Sequence, residues 1–96
     1  MMATLSDTEV KNALGGLPGW ELTGGEIVKE YKFADFAGAL AFVNRLAERA
    51  EAANHHPDID IRWNKVRLAL ATHSEGGLTQ KDFDLARQIE GVAGSE

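Results

Sequence analysis

The chain contains no cysteine. That absence removes disulfides, thiolate metal ligands and cysteine nucleophiles together, and it agrees with a reducing cytoplasm as the expected location. There is no long apolar run either. The longest, Phe36 to Val43, is far too short to span a bilayer, so no membrane partner is expected. The opening MMATLSDTEV lacks the basic stretch followed by an apolar stretch that marks a signal peptide. Basic residues are in the minority, 10 against 15 acidic ones for a net charge of -5. With no Lys/Arg cluster to offset it, such a surface repels phosphate backbones, and direct nucleic-acid binding is not expected. Internal repeats and low-complexity segments are absent. Neither Gly24-Gly25 nor Gly76-Gly77 leads into the Lys-Ser/Thr of a phosphate loop, and no spacing suggests a Ser-His-Asp triad.

What is present fits one folded domain over residues 1–96, 44% hydrophobic and 26% charged. A chain this short has a thin core, so a homodimer or homotetramer would help to stabilise it. Ser6 and Glu9 have capping-box spacing, with Leu5 and Val10 as the hydrophobic staple, and Gly15-Gly16 should end this first helix through positive φ. Trp20 to Thr23 and Glu26 to Phe33 read as strands joined by the Gly24-Gly25 turn. Asp35 caps a helix to about Ala53, whose apolar positions Phe36, Leu40, Val43, Ala47 and Ala50 trace one buried stripe. Asn54 suits its C-terminal cap, and Pro57 stops it. Asp58 to Trp63 and Val66 to Thr72 alternate as strands, with Asn64-Lys65 as the connection. Thr79 and Asp82, with Leu78 and Phe83 as staple, cap a last helix that stops at Gly91. The expected fold is α+β: a four-stranded antiparallel sheet with three helices packed on one face, a two-layer sandwich.

The histidines are three: His55, His56 and His73. With Asn64-Lys65 as the turn, His56 falls opposite His73, on the face carrying Asp58, Asp60, Arg62 and Arg67. His55 stands where the long helix ends, four residues after Glu51. The three imidazoles should therefore meet at one end of the sheet, beside a carboxylate. Imidazole gives or takes a proton near neutral pH, and a cluster suits chemistry in which one proton leaves as another arrives. Two other readings stand beside this one. Adjacent histidines before a proline also occur as plain loop residues. Three histidines with Asp58 could also hold zinc, but His55 and His56 point apart and the usual ligand spacings are missing, so no metal is expected. Asp82 reads most simply as a cap, and Trp63 as a core or interface aromatic.

Glu51, three residues, His55-His56-Pro57, five residues, Trp63, nine residues, His73, eight residues, Asp82: this pattern resembles the signature of the pterin-4a-carbinolamine dehydratase family. The run Trp63-Asn64-Lys65-Val66 and the Thr72-His73 segment extend the likeness, which covers about Trp20 to Val92. The resemblance implies a cytoplasmic hydro-lyase that dehydrates 4a-hydroxytetrahydrobiopterin to the quinonoid dihydropterin without a cofactor. It also implies a functional link to aromatic amino-acid hydroxylases. By the same resemblance His55, His56 and His73 are catalytic, Glu51, Pro57, Thr72, Ser74, Glu75 and Asp82 contact or shape the substrate site, and the protein is a homo-oligomer. Asn54 and Ile59 depart from residues common in the family, Asp and Trp. The alternative that the resemblance carries is a non-catalytic binding module, a dimerisation cofactor of transcription factors or an assembly factor for another enzyme.

Overall fold

Residues 4–94 are described by the computed structural model. In chain order they form α1 (Asp7–Leu14), β1 (Glu21–Thr23), β2 (Glu26–Lys32), α2 (Phe36–Ala53), β3 (Asp58–Arg62), β4 (Lys65–Leu70), a 3-10 turn (His73–Glu75) and α3 (Gln80–Gly94). The strands make one antiparallel sheet in the order β1-β2-β4-β3. Ile27, Val66, Leu68 and Leu70 project from one face into the helices, against Phe42, Leu46, Phe83, Leu85 and Ile89, and all of these are fully buried. The expected α+β architecture is the one observed.

Several local expectations hold for the physical reasons that suggested them. Ser6 Oγ accepts from the Glu9 amide at 3.2 Å and Glu9 Oε1 accepts from the Ser6 amide at 2.8 Å, a complete capping box. Gly24 and Gly25 take φ of 56° and 83°, the paired positive values of a tight hairpin turn. Asn54 closes α2 in the left-handed conformation at φ 51°.

Others are corrected. Gly15 keeps a helical φ of -58°, because α1 unwinds through the tighter bonds Gly16 N to Ala13 O and Leu17 N to Leu14 O; the left-handed turn comes at Gly19. In α2 the buried positions are Ala39, Phe42, Leu46 and Ala50, so the expected stripe of Phe36, Leu40, Val43 and Ala47 lies on the flank of the core face. The apolar arc of this helix is wider than the sheet and α3 can cover. Phe42 sets the rotation by packing on Tyr31 and Phe33, each 4.9 Å away between ring centroids. Helix α3 runs past Gly91 to Gly94, held there by Val92, which is buried. β4 ends at Leu70, and Thr72 pairs with Gly77 in an isolated bridge instead.

The hairpin correction bears on the site. Arg62 pairs with Lys65 and Asp58 with Ala69, so the turn residues are Trp63 and Asn64, one position earlier than expected. Asn64 decides this. Its Nδ2 donates to the Phe33 carbonyl at 2.9 Å and its own carbonyl accepts from the Phe33 amide at 2.8 Å, which ties the turn to the β2–α2 connection. Trp63 is left at φ 53° and 67% exposed, outside the core. Partners shift by two residues, so each side chain keeps its expected face, but the ladder stops before His56 and His73. Asn64→Ala should lower stability by about 1–3 kcal/mol through the abandoned Phe33 carbonyl. Urea titration checks this, with a lower midpoint and an unchanged slope as the expected result.

Candidate active site

Each histidine sits on a segment just outside a strand end. His55 and His56 lie between α2 and β3, and His73 opens the 3-10 turn after β4. Because Asp58 pairs with Ala69, these segments are at the same end of the β3–β4 hairpin. The His56–His73 cross-strand pair expected from the earlier register does not form as a ladder pair.

The structure gives each imidazole its own carboxylates, and they come from different elements. His55 is the most enclosed, its side chain 11% exposed, with Nε2 at 2.5 Å from Asp82 Oδ1. Asp82 is in the first turn of α3 and has no exposed surface. Its Oδ2 accepts from the Thr72 hydroxyl and from the Thr79 amide, both at 2.9 Å. Thr72 and Asp82 are thus buried behind His55 rather than lining a surface. Burying a carboxylate is costly unless every lone pair finds a donor, and here three donors converge on it.

His56 is 57% exposed and pairs through Nε2 with Glu51 Oε2, from the last turn of α2. Pro57, half-buried, carries the chain from His56 into β3. His73 is exposed. Donor atoms of His73, Glu26 and Asp58 all lie within 4.8 Å of one another, so β2 and β3 each bring an acid to this ring. This is also the one histidine–carboxylate set among the described residues with the spacing of a cation site, and it holds a single imidazole, not the three histidines weighed from the sequence. Ser74 is exposed and Glu75 half-buried in the same turn, where the Glu75 amide bonds the Thr72 carbonyl at 3.0 Å.

Beside His73 opens a cleft of about 300 Å³ lined by Gly24, Gly25, Glu26, Ala71, Gly76 and Gly77. Much of its wall is glycine backbone, which offers a flat surface. A larger cavity of about 520 Å³, between Arg45, Arg49 and Val92, has no histidine in its lining, so size alone does not mark the site. The sequence reading missed Glu26 and Thr79. Glu26 reaches His73 through the pairing of β2 with β4, which no local pattern reveals. Thr79 was recognised only as a cap.

Comparison with known proteins adds what geometry cannot. The family model described as Pterin 4 alpha carbinolamine dehydratase matches residues 3–92. A protein of Acidobacterium capsulatum is 55% identical over 91 residues, spanning 95% of this chain and 99% of its own length. One of Roseiflexus sp. strain RS-1 is 56% identical over 92 residues, 96% and 99% of the two chains. Both are provisionally named pterin-4-alpha-carbinolamine dehydratase. Among solved structures, a transcriptional coactivator/pterin dehydratase from Brucella melitensis superposes with a TM-score of 0.90 at 37% identity, covering 94% of this chain and 98% of that one. A pterin dehydratase-like protein identified as a RuBisCO assembly factor in the alpha-carboxysome shares the fold, with a TM-score of 0.64 at 23% identity over 80% and 89% of the two chains.

The unequal burial of the carboxylates predicts unequal roles in stability. Asp82→Ala should cost about 3–5 kcal/mol, because it strands donors in the interior. Glu51→Ala should stay within about 0.5 kcal/mol of the parent, as an exposed ion pair does. Urea midpoints of the two variants measure the difference.

Proposed function

This chain belongs to the pterin-4a-carbinolamine dehydratase family, and on that premise we propose that it dehydrates a 4a-hydroxytetrahydropterin to the quinonoid dihydropterin by histidine acid/base catalysis. The C4a–O bond breaks and the departing hydroxyl takes a proton, leaving as water. The N5 proton goes to a base, and the electron pair of the N5–H bond becomes the C4a=N5 double bond. No oxidation state changes, so the reaction draws on no redox cofactor and, in this reading, on no metal.

The observation that carries the proposal is the pairing of His55 with a carboxylate that has no exposed surface. A role limited to surface contacts has no use for so costly an arrangement, which favours catalysis over a binding module. The His55 Nε2 is committed to Asp82, so its Nδ1 serves as the base for N5–H. His73, with Glu26 and Asp58 beside it, is the acid at the leaving oxygen. His56, held by Glu51, orients the substrate, and Ser74 and Glu75 border it. The glycine-walled cleft next to His73 suits one face of a flat bicyclic ring. We place the protein in the cytoplasm, where the dihydropterin, once a separate reductase has supplied two electrons, would be returned as tetrahydropterin to an aromatic amino-acid hydroxylase; no described helix is long and apolar enough to cross a membrane.

A dehydration assay with 4a-hydroxytetrahydropterin tests this. We expect turnover well above the buffer rate and unchanged by chelators. His55→Ala and His73→Ala should each lose about a hundredfold or more in kcat, and His56→Ala less. A rate equal to buffer, or full activity in all three variants, would sink the reading.

The same proposal includes self-association. Phe36, Leu40, Val43 and Ala47 run along α2 at spacings of four, three and four, the pattern of a helix-pairing seam. Phe36 and Leu40 are 48% and 37% exposed. Ile59, 40% exposed, adds to the apolar surface from the edge strand β3, on the helix-bearing side of the sheet. Such a seam is complementary to a second copy of itself across a two-fold axis. Leu40→Glu should convert the oligomer to a folded monomer in light scattering at micromolar concentration. A parent protein that is already monomeric would overturn this part.

A further inference from the structure

Thr79 immediately precedes α3, with Asp82 three residues later. In a complete capping box the leading hydroxyl takes the amide of the later residue, and the later side chain takes the leading amide. Ser6 and Glu9 make both bonds at α1. At α3 only half the box exists. The Thr79 amide donates to Asp82 Oδ2 at 2.9 Å, while the Asp82 amide bonds the Thr79 carbonyl at 3.1 Å. The Thr79 hydroxyl has left its capping role and stands 2.7 Å from the hydroxyl of Thr72.

Counting protons gives this contact a direction. Thr72 has one hydroxyl hydrogen, and it is used on Asp82 Oδ2 at 2.9 Å. Its oxygen can therefore only accept from Thr79. The chain runs from the Thr79 hydroxyl to the Thr72 hydroxyl to Asp82 Oδ2, through three buried side chains. With two donors already on Oδ2, that oxygen carries no proton. A carboxylate oxygen accepts, so the hydrogen between Oδ1 and His55 is the one carried by Nε2.

We propose that Thr79 is a positioning residue: its diverted capping hydroxyl, acting through Thr72, fixes the rotation of the Asp82 carboxylate and so holds His55 as the Nε2–H tautomer with Nδ1 free. The helix cap and the proton-transfer site are then one device. Successive hydroxyls polarise one another in the same direction, which strengthens the bond that reaches the carboxylate. The kinetic consequence rests on the dehydratase reading, but the tautomer does not.

Thr79→Val keeps the shape and the amide bond to Asp82 and removes only the hydroxyl; Thr79→Ser restores it. Protein labelled with ¹⁵N-histidine reports the tautomer of each ring by two-bond nitrogen–proton correlation. The wild type should show His55 protonated at Nε2, and Thr79→Val a mixture of tautomers. In the dehydration assay Thr79→Val should lose about tenfold in kcat, with KM within about twofold, and Thr79→Ser should recover both signatures. If Thr79→Val does not fold, Thr79→Cys, a much weaker donor, is read in its place. A wild-type His55 protonated at Nδ1 overturns the proposal, as does a hydroxyl-free variant that keeps both the tautomer and kcat. If the wild type shows no dehydration at all, the functional reading fails and the tautomer comparison alone decides the role of Thr79.

Discussion

Asp82 is the group around which the rest of the structure is arranged. A carboxylate with no exposed surface demands donors on every side, and those available come from three parts of the chain. His55 lies between α2 and β3, Thr72 stands just beyond β4, and the Thr79 amide begins α3. Satisfying one acid therefore joins a helix end, a strand end and a helix start at the same corner of the sheet. The isolated Thr72–Gly77 bridge and the 3-10 turn that begins at His73 follow from the need to bring Thr72 inward there. The position of His73 is in that sense a consequence of where Asp82 is buried.

The sheet has two unlike faces, and the division of labour follows from that. The helix-bearing face is filled by Ile27, Val66, Leu68 and Leu70, and the buried polar residues described are Asn64 at the hairpin turn and Thr72, Thr79 and Asp82 in one network. The other face is wholly polar where β2, β4 and β3 align Glu30, Arg67 and Asp60 in one row and Lys32, Lys65 and Arg62 in the next. Glu26 and Asp58 belong to this open face and reach His73 from it. His55 thus meets its carboxylate in the interior and His73 meets its carboxylates at the open face, so two chemically identical side chains acquire different surroundings.

A second structural theme is the tension between local signals and tertiary demands. Asn64 carries weak turn chemistry in the sequence, yet its bonds to Phe33 outweigh the more obvious choice of Asn64-Lys65 and force Trp63 to a positive φ. Gly91 is a plausible helix stop, but the burial of Val92 is worth more than the roughly 1 kcal/mol cost of an interior glycine. In both cases a contact distant in sequence overrides a local preference.

The residue pattern by itself determined the elements and their order. Capping residues at Ser6 and Asp35, the paired glycines at 24 and 25, and alternation at 58–63 and 66–72 are short-range signals, and short-range physics is enough to read the elements, though not their last residues. The face on which each strand residue lies was legible for the same reason, since the period of two survives a register shift of two. The histidine signature, spread at fixed spacings over Glu51 to Asp82, identified the family and the three imidazoles. The tertiary structure decided everything that depends on which surfaces meet. The rotation of α2 was hidden because its apolar arc is broader than one packing partner, so periodicity alone could not say which flank is buried. The partners of His55 and His73 were hidden because Asp82 and Glu26 come from separate elements, whereas Glu51, five residues before His56, was legible locally. The role of Thr79 was hidden because a cap and a diverted cap have the same sequence, and only the approach of Thr72 across the fold distinguishes them.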